Sequence, residues 1–239
     1  MKNKLNTINC SYCHEENPIY NLECNKCNAI LRNKIVNIDL WSTIAKIIEE
    51  PIKTLQNIII AQNKNYIYFL TVLVSIKFYI NSQLIILASG SQISFSFKVL
   101  VFEILMMFFA LSVSALLLGI LLGQNKYVSR FIDNYSIITY SNIPFIISLI
   151  ILTPLEIAVF GITFFTFDPS PFLIKPALAY FFVALEILMI LWSIFLIMIS
   201  IFIQSGSKVF SLFFGLIIFL LHTTIAYYSI KLFNLILNL

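Results

Sequence analysis

The chain has 239 residues, of which 60% are hydrophobic and 11% are charged, and its formal net charge is +4. Soluble globular domains carry about 25% charged residues, so this composition excludes an ordinary soluble enzyme, a disordered chain and a disulfide-rich secreted domain. Eight of the fifteen Lys/Arg residues lie among positions 1–65 beside six of the eleven acids, which is not the basic surface of a nucleic-acid-binding protein. We therefore expect an all-α membrane protein with a small polar head and no nucleic-acid partner.

The four cysteines of the chain form two C-x2-C pairs near its start: Cys10 with Cys13 and Cys24 with Cys27. Two such pairs can aim four thiolates at one point, as in a closed tetrahedral zinc site. A segment of this length cannot bury enough core to fold alone, so metal binding would supply the missing free energy. We predict a structural zinc ribbon over residues 1–35, with two disulfides or a redox-active pair as alternatives. His14 adjoins one pair and could replace a ligand, although a bystander role is favoured.

Residues 36–65 are predicted to form a linker and an amphipathic helix. Apolar residues recur there at helical spacing, Asp39 or Ser42 can cap the first turn, and Pro51 should kink or split the helix. With Trp41 near one end, this segment suits a helix that lies in the membrane interface. The alternative is a helix packed on the zinc ribbon.

Five apolar stretches follow within residues 66–239, and each exceeds the roughly 20 residues that cross a bilayer core. They lie at about 66–88, 95–123, 137–165, 176–204 and 209–238. Short connections predict a five-helix bundle, and the polar N-terminus predicts that the first span, rather than a cleavable signal peptide, directs insertion. Lys and Arg residues concentrate in segments 1–65, 124–136 and 205–208, which places the N-terminus in the cytosol and the C-terminus outside. A reducing cytosol also suits free thiolates.

Four ionisable side chains within the spans form a candidate intramembrane polar site: Lys77, Glu103, Glu156 and Glu186. Charged groups at membrane depth are costly and mark function by default. Measured from the span ends, the three acids lie at similar depth, so they could surround a cavity in which Lys77 neutralises one of them. This indicates a cation- or proton-handling site, or a groove for a lipid or solute head group. The alternative is that these groups satisfy one another and fix helix packing.

Two further patterns mark helix faces. A seven-residue repeat on the fourth span is expected to face the bundle interior: Ala179, Glu186, Ser193 and Ser200. A four-residue repeat of small side chains on the second span permits close helix approach: Ala115, Gly119 and Gly123. The second pattern would serve internal packing or a homo-oligomer equally well.

A short motif opens the predicted third span, Thr139-Tyr140-Ser141-Asn142-Ile143-Pro144. Read as residues alone, it is an interfacial tyrosine followed by a tolerated kink. Together with five spans and the Trp41 to Pro51 lead-in, it resembles the Yip domain family of Rab/Ypt-interacting membrane proteins over about residues 40–238. Thr139 replaces the glycine of the family pattern, and the acidic Asp-Leu-Tyr-Gly-Pro motif of eukaryotic members is absent. The resemblance implies a prokaryotic member with an N-terminal zinc ribbon, located in the plasma membrane.

The sequence shows no cluster of residues typical of catalysis, so we expect a non-enzymatic protein. The leading hypothesis is a membrane scaffold or adaptor whose ribbon recruits a cytosolic or membrane protein partner to a lipid-embedded bundle. The rival is a transporter or an ion or proton channel that uses the intramembrane Glu and Lys residues.

Overall fold

The computed structural model describes residues 7–32, 35–90, 96–124 and 129–237. Parts of the predicted zinc ribbon, of the predicted spans and of their connections lie outside the described residues, at 1–6, 33–34, 91–95, 125–128 and 238–239. The described chain is almost wholly helical after a short two-stranded antiparallel sheet. The sheet consists of β1 (Thr7–Asn9) and β2 (Glu16–Pro18). The helices are α1 (Leu40–Glu49), α2 (Pro51–Ile60), α3 (Ile67–Ala88), α4 (Phe97–Gln124), α5 (Phe131–Ser141), α6 (Ile143–Ile147), a π-helix (Ser148–Leu152), α7 (Thr153–Phe160), α8 (Thr163–Thr166), α9 (Pro171–Ile174), α10 (Pro176–Ser205) and α11 (Lys208–Leu237).

Within the described ranges, five stretches of helix are long and apolar enough to cross a membrane: Ile67–Ala88, Phe97–Gly123, Ile143–Phe160, Pro176–Ser205 and Lys208–Phe233. The chain is therefore an integral membrane protein of the all-α class, which confirms the predicted fold class and the number of spans. Four of the five spans begin and end within a few residues of their predicted limits, because polar residues bound each apolar run.

The third span differs from its prediction, which was a single helix over 137–165. Pro144 and Pro154 each stand at the second position of a new helix, α6 and α7, with the π-helix between them. A proline lacks the N–H that would continue the preceding helix, and its ring clashes with the carbonyl four residues back. In place of one kinked helix, the region is therefore a series of short helices, with breaks at Pro144 and Pro154.

The apolar span itself, Ile143–Phe160, lies inside the predicted limits of about 137 and 165. The helical region that leads into it begins at Phe131, and it contains Asp133 and Asn134, which are buried with polar partners. The span ends at Phe160, since Gly161 adopts a φ of +59° that breaks the helix.

The chain packs as two compact units. The first comprises Met1–Ile67, Ser112–Ser141 and Phe195–Ile218, and the second comprises Tyr68–Leu111, Asn142–Ile194 and Phe219–Leu239. The four-cysteine head lies in the first unit. The four ionisable residues of the predicted intramembrane site all lie in the second.

The amphipathic segment is split at Pro51, as predicted, and the Asp39 carboxylate caps α1 by accepting a hydrogen bond of 2.9 Å from the Ser42 N–H. Helix α2 packs against α1 and α5 and buries four side chains: Thr54, Leu55, Ile58 and Ile59. Helix α1 leaves Trp41 exposed and buries only Ile47. The interfacial position of this segment stays a prediction.

Candidate functional site

The four-cysteine head is built from one turn used twice. In each turn the first cysteine, Cys10 or Cys24, donates its N–H to the carbonyl five residues later at 2.9 Å. Each also accepts an N–H from the residue four positions later at 3.0 Å. That residue is His14 or Asn28, with φ values of 56° and 55°, a left-handed conformation that His and Asn adopt more readily than most residues. His14 therefore serves the turn, and it is not among the residues that could hold a metal ion.

The two turns bring all four thiols together, with their sulfur atoms within 4.8 Å of one another. The sulfur atoms of Cys10 and Cys27 are 3.5 Å apart, as are those of Cys13 and Cys24, and the four thiols are free. A tetrahedral site with Zn–S bonds of about 2.3 Å has sulfur atoms about 3.8 Å apart. The four cysteines thus fit a closed tetrahedral metal site.

Hydrogen bonds prepare one of these sulfur atoms to be a thiolate. The backbone N–H groups of Cys27 and Lys26, helped by the side-chain amide of Asn17, lower the pKa of the Cys24 thiol to about 6. The Nδ2 of Asn17 lies 3.4 Å from the Cys24 sulfur, and its Oδ1 accepts the Asn25 N–H at 2.9 Å. Asn17 is fully buried, and the sequence analysis missed it because an isolated asparagine carries no signal of a role next to a metal site.

A second polar site in the first unit, which the sequence analysis also missed, is here called the junction cluster: Tyr20, Arg32, Lys64, Arg130 and Asp133. At its centre the Lys64 ammonium lies 3.1 Å from Oδ1 of Asp133. The Arg130 guanidinium donates two hydrogen bonds to the same carboxylate, at 2.7 Å and 3.1 Å. The side chains of Lys64 and Asp133 are only 4% and 1% exposed. Every oxygen of this buried carboxylate is therefore bonded to a cation.

The cations of the junction cluster also cap the C-terminal end of α2. Lys64 donates to the carbonyls of Ile59 at 2.8 Å and Ala61 at 2.9 Å, and also to that of Ile58. Arg32 donates to Ile60 at 3.0 Å. The last carbonyls of a helix lack partners and carry partial negative charge, so cations stabilise them. Burial lowers the pKa of Lys64, and the contact with Asp133 opposes that shift.

Contacts from the head complete the junction cluster. Arg32 donates to the carbonyls of Ile19 at 3.0 Å and Tyr20 at 2.8 Å, and the Arg130 guanidinium lies 4.6 Å from the centre of the Tyr20 ring. The head, α2 and α5 are thus joined by hydrogen bonds, an ion pair and a cation–π contact. The only local signal in the sequence is the Arg130-x-x-Asp133 spacing, because the other members are remote along the chain.

In the second unit, the π-helix region surrounds a buried ion pair. The Lys77 ammonium lies 2.7 Å from Oε1 of Glu186 and 3.0 Å from the Thr153 hydroxyl. The Ser148 hydroxyl donates to the same Glu186 oxygen at 2.5 Å. Ser148 begins the π-helix and Thr153 follows it, so this uncommon turn places both hydroxyls on the pair. The predicted neutralisation of one acid by Lys77 is therefore present.

Only two of the three predicted acids share a cavity. Glu156 and Glu186 line a space of about 270 Å³ together with Asn81 and otherwise apolar side chains. Glu103 does not line it, and instead accepts a hydrogen bond from the Ser229 hydroxyl. The Oε2 atoms of Glu156 and Glu186 are buried and have no hydrogen-bond partner among the residues that the structure describes.

The two helix-face patterns have different outcomes. Ala179, Ser193 and Ser200 are buried and Glu186 is nearly so, which confirms that this face of α10 points inward. A Cβ added at Gly119 would lie 3.3 Å from the Asn134 amide, which donates to the Ala115 carbonyl at 3.2 Å, whereas Gly123 has open space. The first two small residues therefore serve internal packing. A homo-oligomer stays a prediction.

The Tyr140 motif lies in the interior of the protein. Tyr140, Ser141 and Pro144 are all buried, so an interfacial tyrosine is wrong. Asn142 accepts a hydrogen bond of 3.0 Å from the Ser193 hydroxyl at the break between α5 and α6. Comparison of the chain with family models, curated proteins and solved structures found no match. The resemblance to the Yip domain family therefore stays a prediction.

Proposed function

We propose that this chain is a non-enzymatic membrane adaptor that holds a zinc ribbon at the cytosolic face of the membrane and captures a protein partner with it. The observation that carries the proposal is the closed cluster of four thiols fastened to α2 and α5 through the junction cluster. A closed four-cysteine site leaves no position for a substrate on the metal, so its value is structural. A ribbon fixed to the membrane domain presents a rigid surface.

Zinc is the metal that best suits this donor set, since four thiolates in tetrahedral array favour zinc over hard cations. The cytosolic position follows from the Lys/Arg distribution and from the need for reduced thiols. With the Yip-like features of the sequence, these arguments favour the plasma membrane of a prokaryote and membership of that family.

The ribbon surface offers two exposed apolar side chains that a partner would cover. Tyr12 is 81% exposed and Ile30 is 76% exposed. Tyr12 lies in the first of the two cysteine turns, between the proposed ligands Cys10 and Cys13. Aromatic and other apolar side chains of this kind are the usual anchors of protein interfaces.

Site-specific photocrosslinking in native membranes tests this proposal. A photoreactive amino acid at Tyr12 or Ile30 should give one reproducible crosslinked protein, which disappears in a Cys10→Ser/Cys13→Ser variant. The same label at the equally exposed Trp41 of α1 is the matched control and should not capture that protein. A zinc-loaded, inserted protein that crosslinks to nothing from either ribbon position would contradict the adaptor function.

A transport function is the second candidate, and the Lys77–Glu186 pair beside a cavity is the observation that favours it. Proton or cation movement would require one of the two cavity-lining acids to exchange its partner. In reconstituted vesicles, Glu186→Gln should then abolish flux while Glu103→Gln, at the acid outside the cavity, preserves it. Absence of flux in the unmodified protein would remove this candidate.

A further inference from the structure

The cavity of the second unit has an acidic end and an aromatic body. Its polar lining consists of Glu156, Glu186 and Asn81, and its walls include five phenylalanines: Phe160, Phe164, Phe167, Phe172 and Phe182. Phe160, Phe164 and Phe182 pack with Ala179 in one apolar cluster. The lining is thus that of a ligand site, with a few polar groups converging in an apolar pocket.

The two carboxylates at the acidic end have hydrogen-bond acceptor atoms to which no donor among the described residues bonds. The Lys77 ammonium and the Ser148 hydroxyl both donate to Oε1 of Glu186, and Lys77 also donates to the Thr153 hydroxyl. The Oε2 atoms of Glu156 and Glu186 stay buried without a partner among the described residues. Glu156 itself is 6% exposed. Buried polar atoms without partners are costly, so a donor placed in the cavity would gain both hydrogen bonds and charge neutralisation.

We propose that this cavity binds an ammonium group carried on a small apolar body. Two carboxylates face one resident ammonium, which leaves the site short of one positive charge when both acids are ionised. Phenylalanine faces add cation–π attraction for a bound ammonium, and they exclude strongly hydrated inorganic cations. A cavity of about 150 Å³ holds benzene, so the 270 Å³ here suits one ring with a short amine-bearing chain.

The exposed part of the cavity lining indicates from which side a ligand would enter. Four lining residues are exposed, and all four are apolar side chains on spanning helices: Ile85, Ala88, Val183 and Ile187. An amphiphile that partitions into the bilayer would arrive on this side. The ammonium could belong to a free lipophilic amine or to the head group of phosphatidylethanolamine. This binding function does not depend on the adaptor function, because it uses no residue of the head.

Calorimetric titration of the full chain in phosphatidylcholine nanodiscs tests the proposal with 2-phenylethylamine as the probe. Neutral 2-phenylethanol, which has nearly the same shape, is the matched ligand and should bind at least about tenfold more weakly. Glu156→Gln should weaken amine binding by about tenfold or more, whereas Glu103→Gln should not change it. Equal affinity for amine and alcohol, or an unchanged affinity in Glu156→Gln, would overturn the proposal.

Two further measurements complete the test: competition by phosphatidylethanolamine and a variant that fills the cavity. If phosphatidylethanolamine is the source, its addition to the nanodiscs should compete with the amine, and native mass spectrometry should find it retained in a Glu156-dependent manner. If it does not compete, the site takes free amines. Ala179→Leu fills the cavity from α10 without touching a carboxylate, so it should also weaken amine binding while helicity is preserved. Failure of 2-phenylethylamine to bind, with no phosphatidylethanolamine retained, would contradict the inference.

Discussion

Two buried ion pairs among the described residues have the same chemistry, a carboxylate beside a lysine ammonium, in different surroundings. In the first unit, Asp133 has both carboxylate oxygens bonded to Lys64 and Arg130, and Lys64 also serves the end of α2. In the second unit, Glu186 uses one oxygen for Lys77 and leaves the other without a partner in the described chain, next to a cavity. The side chain of Asp133 is 1% exposed, and that of Glu186 is 16% exposed.

This difference separates a structural role from a binding role. A buried ion pair offsets the desolvation of its charges only when its remaining acceptors and donors are also satisfied. The junction cluster meets that condition, so it can fasten the head to α2 and α5. The Lys77–Glu186 pair does not, and its spare acceptor beside open space is what a ligand requires.

Removal of the metal should produce the largest effect and show whether the contacts of Lys64 and Arg130 with Asp133 survive without the head. Structural zinc contributes an apparent free energy of about 10–16 kcal/mol in zinc-finger peptides, so chelation or Cys10→Ser/Cys13→Ser should unfold residues 7–32. Hydrogen exchange should show loss of protection there and full protection in α5. Loss of protection throughout α5 would mean that the contacts of Lys64 and Arg130 with Asp133 depend on a folded head, contrary to our account.

Replacement of the shared carboxylate should be the most damaging single change in the first unit. Asp133→Asn leaves the buried Lys64 ammonium without its counter-charge, which costs about 3 kcal/mol or more in a buried pair. Unfolding in detergent, followed by circular dichroism against denaturant, measures this. Asp168→Asn, at an exposed aspartate, is the matched control and should change stability by less than about 0.5 kcal/mol. A similarly small effect at Asp133 would contradict the structural role of its buried ion pair.

Loss of the second ion pair should cost less, since the cavity beside it can accept water. Lys77→Met should destabilise the protein by about 1–3 kcal/mol, because Glu186 loses its cation but retains the Ser148 hydroxyl. Combining it with Glu186→Leu should recover much of that loss, as replacement of a whole pair by apolar residues is often neutral. The same denaturation experiment checks both variants. A double variant less stable than Lys77→Met would show that the pair is itself stabilising.

The smallest expected effect tests how tightly the polar contacts of the first unit are packed. Gly119→Ala places a Cβ 3.3 Å from the Asn134 amide and should cost about 1 kcal/mol despite the better helix propensity of alanine. Gly123→Ala, four residues later on α4, meets no atom within 4 Å and should be neutral or stabilising by up to about 1 kcal/mol. Identical melting temperatures for the two variants would indicate a first unit looser than described.

The sequence predicted the features that depend on composition and local spacing. Long apolar runs bounded by polar residues located four spans, and the C-x2-C spacing located the metal-binding cysteines. It could not predict the helix Phe131–Ser141 before the third span, because Asp133 and Asn134 look like loop residues until their partners are known. Lys64 and Arg130 likewise lie outside the predicted spans, and nothing in the sequence marks them as buried. Their meeting at one carboxylate is a tertiary contact between segments almost seventy residues apart.

Depth alone also proved insufficient for the intramembrane acids. Glu103, Glu156 and Glu186 were placed at one depth, and this cannot tell which side of each helix a carboxylate occupies. The structure brings Glu156 and Glu186 to one cavity, whereas Glu103 bonds to Ser229 of α11. The two prolines were visible in the sequence, but the π-helix between them, which positions Ser148 and Thr153, follows from packing.

The central claim is that the ribbon captures a partner while it is held by the junction cluster. Photocrosslinking from Tyr12 in native membranes, compared between the unmodified chain and Asp133→Asn with zinc content measured in both, tests this most directly. Our account predicts that Asp133→Asn retains zinc and inserts but loses most of the crosslinked partner, since its ribbon is no longer fixed. Undiminished crosslinking in Asp133→Asn, or the same crosslink in a zinc-free Cys10→Ser/Cys13→Ser protein, would contradict it.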